Sequence, residues 1–331
     1  MKTLKLLKRG TFALAALGLL AAFSVEARAA FSNDLLATDL NTGKVYAFDQ
    51  TTGTSLGSFN TQANPRGVAI GPDGNVYVNS SLTNDVLKYN GSTGALVSTF
   101  VPAGDHGLGL AYGMQFGPNG NLFVASYTTN SILEYNGTTG GFIQTIGAGS
   151  PLTGPAGISF GPDGNLYVAG STSGPNGEIL KFDPNTGAYI GLFGPPVSQI
   201  SGLAFGGGYL FVAAGAPGSA ALGVLDATTG AFVSSINDPS HVMTPGGLAY
   251  DNGKLFVASY GTSTIASYTI SGGNLVFNSA LSTAGLSGPI YLAPIYLALA
   301  PVPEPSSLAL LGLGAFGLAG FALRRKSPVT V

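Results

Sequence analysis

Between positions 34 and 300 the apolar residues come in short runs of four to six, rich in Val, Ile, Leu, Phe and Tyr. Gly, Asn, Asp, Pro and Thr separate them. Short runs bounded by turn residues predict β-strands. Over positions 64–104 the runs are Gly67–Ile70, Asn75–Asn79, Asp85–Tyr89 and Ala95–Phe100. The Gly-Pro-Asp-Gly between the first two makes a tight turn: Pro presets φ and Gly supplies a positive one. Asn-Gly-Ser-Thr-Gly plays the same part between the third and fourth. Runs such as Leu122–Ala125 and Leu166–Ala169 are apolar on both sides, which suits strands sandwiched between neighbouring sheets.

The pattern repeats. Gly161–Val168 (GPDGNLYV) has near-copies starting at Gly71 and Gly117 and weaker ones at Gly206 and Asp251. Successive starts are 46, 44, 45 and 45 residues apart. A fixed period in the forties with four strands per unit predicts the blades of a β-propeller, since one blade cannot bury both its faces. Four full units fall at about 64–104, 110–149, 154–194 and 200–238, and a looser fifth at 244–281. Residues 34–59 match only the last three strands of a unit. Gly288–Ala300 matches only the first. The expected fold is therefore all-β and six-bladed, with strands from the two ends of the chain sharing one blade.

Both ends carry different signals. Lys2, Lys5, Lys8 and Arg9 precede an apolar run, Phe12–Phe23, and a small-x-small site ending at Ala29. That order predicts a secretory signal peptide over 1–29, with the propeller over 30–302. At the other end Pro303-Glu304-Pro305 is followed by an apolar stretch, 308–323, and the basic cluster Arg324, Arg325 and Lys326. Segment 303–331 resembles the PEP-CTERM sorting signal of Gram-negative bacteria. The resemblance implies cutting by an exosortase at the Pro-Glu-Pro motif, with 308–323 a transient helix in the inner membrane. The basic tail would stay cytoplasmic and everything before it outside, at the cell surface or beyond.

Without these ends, positions 30–303 keep five basic and thirteen acidic residues, a net charge of −8. Such a body repels phosphate backbones, which argues against a nucleic-acid partner. Cysteine is absent, so disulfides and thiolate metal sites are excluded.

The loops between second and third strands, and those between blades, vary most, and binding residues favour variable loops on a rigid scaffold. Both histidines fall there. His106, beside Asp105, precedes the third blade, and His241, near Asp238, the sixth. Tyr127 and Tyr260 are also three blades apart, and Arg66 is one of few polar residues on the inner strands. These seven are the candidate ligand-binding residues. No metal site is assigned: Asp183-Pro184-Asn185-Thr186-Gly187 reads as an ordinary strand-connecting turn.

The repeat P-x-G-hydrophobic-A-hydrophobic-G-P-D-G-N resembles the NHL and streptogramin-lyase/gluconolactonase-like propellers. That resemblance implies fold more than activity. Lyases of this kind rely on a His with acidic and metal partners. Here the inner strands RGVAI, YGMQF, AGISF, SGLAF and GGLAY carry no Asp or Glu. The reading is a binding or matrix protein without a cofactor, associated with exopolysaccharide through its sorting signal. The alternatives are a lyase or lactonase using a divalent cation, and a purely structural matrix component.

Overall fold

The computed structural model describes residues 34–61, 64–171, 176–214, 221–281 and 285–294. The expected signal peptide and the sorting segment with its membrane helix lie outside them. Among the described residues no helix is long and apolar enough to cross a membrane. The residues form six antiparallel sheets. Each sheet's innermost strand contacts the innermost strand of the next, around a closed ring. This is a six-bladed propeller.

Blade I is composite, as the repeat pattern predicts: its inner strand is Pro289–Pro294 and its outer three are Asp34–Asp39, Lys44–Asp49 and Ser55–Asn60. Blades II to VI start at the inner strands Pro65–Ile70, Ala111–Phe116, Ile158–Phe160, Ile200–Gly206 and Pro245–Asp251. Blade IV carries one strand the pattern did not reveal, Val197–Ser198, paired with the start of its third strand, Asn176–Phe182.

Six apolar clusters form the core, one in each seam between blades. This explains the runs that are apolar on both sides: Val76–Ser80, Leu122–Ser126 and Leu166–Gly170 are buried along their whole length. Tyr77 is representative. Its ring sits edge-on to Phe100 in its own blade and to Phe116 in the next, at 4.8 and 4.9 Å. Tyr167 repeats this with Phe193 and Phe205. Each such ring contributes about 1.5–3 kcal/mol through burial and binds neighbouring blades together.

The Gly-Pro-Asp-Gly turns do more than reverse the chain. Asp73 accepts from the Tyr77 hydroxyl at 3.0 Å and pairs with Lys88 at 2.6 Å. Asp163, Tyr167 and Lys181 repeat the triad at 3.0 and 2.7 Å. Burial alone would raise these carboxyls. Hydrogen bonds from the lysine, the asparagine two residues on and the tyrosine outweigh it, holding Asp73 at about 2 and Asp163 lower still.

Asp39 closes the ring. It is fully buried, and its carboxylate accepts four backbone N–H bonds. Asn41 and Thr42 donate to one oxygen at 3.1 and 2.9 Å. Ser287 and Gly288, from the far end of the chain, donate to the other at 2.7 and 2.9 Å.

On the side of the second–third and inter-blade loops, the loops are cross-braced. Asn84 and Asn130, both at positive φ, accept from Leu110 N at 2.7 Å and Gly154 N at 2.9 Å in the following inter-blade segments.

Candidate functional site

The innermost strands converge through glycine. The pairing register shifts between Pro65 and Val68, Ala111 and Met114, and Pro245 and Leu248. The freed backbone turns towards the adjacent inner strand. A Cβ on Gly67 would stand 2.4 Å from Tyr112 O, one on Gly113 2.6 Å from Ala156 O, and one on Gly202 2.3 Å from Gly246 O. Only glycine permits that approach.

The backbone groups released there find new partners, as buried polar groups must. Asn79, fully buried, accepts from Gly67 N at 2.8 Å and donates to Tyr112 O. Thr38 donates to Arg66 O and accepts from Tyr291 N. Ser201 donates to Pro245 O at 2.6 Å. In blade I the position of the ring glycine is occupied by Tyr291, whose buried side chain lines the cavities on both sides of this neck. Burial pushes its hydroxyl pKa well above the ordinary tyrosine value, with the Arg66 charge opposing.

The channel therefore has two chambers. The one on the tight-turn side is about 410 Å³ and lined mainly by backbone and apolar groups, Met114, Phe116 and Leu248 among them. The chamber on the variable-loop side is about 780 Å³, and its wall includes Arg66, Tyr112, Tyr127, Tyr260 and Tyr291. That volume lies within the range of small-molecule sites.

Three of these side chains form a continuous stack. The Arg66 guanidinium lies 4.1 Å from the centre of the Tyr112 ring. Tyr112 and Tyr127 are stacked at 5.0 Å with planes 26° apart. The edge of Tyr127 rests on Gly154, where an added Cβ would meet it at 3.1 Å. Tyr260, in the matching position of blade VI, rests likewise on Gly288 and donates from its hydroxyl to Asn41 at 3.3 Å. Tyr127 and Tyr260 remain 41% and 38% exposed, so part of each ring faces the chamber.

Of the sequence candidates, Arg66, Tyr127 and Tyr260 meet at this chamber. The two His–Asp pairs do not line it. His106 bonds Asp105 at 2.9 Å and stacks at 3.9 Å on Phe142, on the outermost strand of blade III. His241 bonds Asp238 at 2.9 Å and stacks at 3.6 Å on Phe277, on the outermost strand of blade VI. Tyr268 also donates to Asp238. Burial would raise that carboxyl, but the His241 and Tyr268 bonds hold it below the ordinary range. Both imidazoles are thus packed over inter-blade seams. Among the described residues no group of three His, Cys, Asp or Glu side chains lies close enough to share a metal ion.

Tyr112 and Tyr291 escaped the sequence reading. Tyr112 falls at the same repeat position as Arg66, which was the available signal, and Tyr291 sits where the other units have glycine.

Residues 301–326 match the PEP-CTERM protein-sorting motif. The chain carries an exosortase sorting signal. That signal implies processing by exosortase and export to the cell envelope or surface. No curated protein sequence matches this chain. Solved structures similar to it include one from a nidogen/laminin complex, with TM-score 0.63 and 16% identity over 79% of this chain and 97% of that one. A catalytically inactive virginiamycin B lyase from Staphylococcus aureus, solved with quinupristin, gives TM-score 0.55 and 18% identity over 74% and 80%. A protein of unknown function from Bacteroides caccae gives 0.58 and 17% over 79% and 98%. At these identities the likeness concerns the fold alone.

Proposed function

We propose that this exported propeller is a binding protein that holds a saccharide in the chamber on its variable-loop face. The observation that carries this reading is the pair of half-exposed rings, Tyr127 and Tyr260, on the wall of one 780 Å³ chamber. Sugar rings present C–H faces that stack on aromatic surfaces, and their hydroxyls match the backbone groups and hydroxyls of the wall. Loops braced through Asn84 and Asn130 keep the platforms in place before binding, which lowers the ordering cost. Delivery follows from the sorting signal: after cutting at Pro303-Glu304-Pro305 the body reaches the cell surface, where exopolysaccharide is the accessible polymer. No cofactor enters this reading.

The test is titration of the purified chain with the producer's extracellular polysaccharide, beside a Tyr112→Ala/Tyr127→Ala/Tyr260→Ala variant. We expect saturable binding by the parent and its loss in the triple variant. A His106→Ala/His241→Ala variant should still bind. Binding that survives the triple substitution refutes the site, and an absence of saturable binding by the parent refutes the function.

A further inference from the structure

We infer that the chamber selects a ligand that carries a carboxylate beside its ring, an acidic rather than a neutral saccharide, with Arg66 as the counter-charge. This inference rests on the binding reading above and sharpens it.

The argument starts from charge. Among the described residues that line the chamber, Arg66 is the one that carries a formal charge, and none is Asp or Glu. Ion pairs among the described residues join Lys88 to Asp73, Lys181 to Asp163, and each histidine to its aspartate. Arg66 takes part in none of them. Its Nε is buried and has no hydrogen-bond partner. At the same neck Asn79 and Thr38 are both satisfied by released backbone groups, whereas Arg66 Nε is not. A guanidinium left unpaired inside a body of net charge −8 is therefore a group whose partner arrives from outside.

Geometry then restricts that partner. Stacking on Tyr112 fixes the plane of the guanidinium, which leaves its N–H edge to engage a ligand. A planar carboxylate meets such an edge through two parallel bonds. The same stack continues into Tyr127, so an anion seated on Arg66 has an aromatic platform beside it for the ring that bears it. One fixed cation in an acidic body suits an isolated carboxylate. A densely charged polyanion would be repelled by the rest of the surface.

The full-length chain, purified in mild detergent, would be titrated calorimetrically with galacturonate, its methyl ester and neutral galactose. We expect the acid to bind at least tenfold more tightly than the ester or the neutral sugar. Arg66→Gln should abolish that preference, and Arg66→Lys should keep part of it. Equal binding of all three probes, or a preference that survives Arg66→Gln, overturns the inference and leaves the saccharide-binding reading standing. No saturable binding of any probe overturns both. A second variant separates function from structure: Arg66→Met should leave the melting temperature unchanged or raise it, because it removes an unpaired buried donor. A lowered melting temperature would make Arg66 a structural group and overturn the inference.

Discussion

Replacing Asp39 with Asn tests how the ring is closed. The carboxylate bridges chain positions nearly 250 residues apart, accepting from Asn41 and Thr42 on one oxygen and from Ser287 and Gly288 on the other. In Asp39→Asn one oxygen can still serve the local turn. The amide nitrogen then faces two backbone N–H donors, one of them on the buried Gly288. Two charge-assisted bonds are lost, each worth about 1.5–3 kcal/mol, and a buried donor is left without an acceptor. The expected cost is about 3–5 kcal/mol, or roughly 10 °C in melting temperature for a domain of this size. Asp49→Asn is the control: Asp49 organises the next turn of the same blade through hydrogen bonds from Thr51 and Thr52, and Lys254 of blade VI acts on it only through its charge. Near-UV circular dichroism would follow melting, and amide exchange would follow Ile290–Ala293. We expect Asp39→Asn to melt well below Asp49→Asn and to speed exchange in that closing strand. Equal melting of the two variants, with exchange unchanged, would refute the clasp.

Acid should loosen the tight-turn face. The Asp73 and Asp163 carboxyls are depressed in the folded state, Asp73 to about 2. Their contribution is therefore complete above the unfolded value near 4 and lost as pH falls towards 2. Both side chains are more than a third exposed, so screening keeps the contribution modest. Melting temperatures between pH 5 and 2 should fall less in Asp73→Asn/Asp163→Asn than in the parent, and parallel curves would contradict this. Asn79→Ala strands Gly67 N and Tyr112 O and should cost about 2–4 kcal/mol in urea unfolding; a cost within error of zero would remove its bridging role. Gly202→Ala places a methyl 2.3 Å from Gly246 O and should cost about 1–3 kcal/mol or more through overpacking, whereas the same change at the open turn residue Gly208 costs mainly its positive-φ strain. Indistinguishable melting of the two would show that the inner strands need no close approach.

The local pattern was sufficient for the architecture. Period, turn chemistry and two-sided apolar runs are short-range properties, each repeated, so the six blades and the composite blade I could be read directly. The missing first strand of one terminal fragment and the lone first strand of the other are complementary only if the ring closes. What the pattern could not reveal is direction across the ring. His106 and His241 fall at equivalent places in loops that face the same side, yet each imidazole turns outward to stack on Phe142 or Phe277, because an inter-blade seam there has an aromatic ring to cover. Tyr127 turns inward because Tyr112 and Gly154, in adjacent inter-blade and inner-strand segments, leave it a flat berth. Arg66 is unpaired for the same kind of reason: the acids of its own blade, Asp73 and Asp85, are engaged by Lys88 and Thr83 instead. Blade geometry is encoded within some 45 residues of chain. The site is assembled across blades: Arg66 meets Tyr112 one repeat further on, and only the closed ring sets Tyr127 and Tyr260, three blades apart, on one wall.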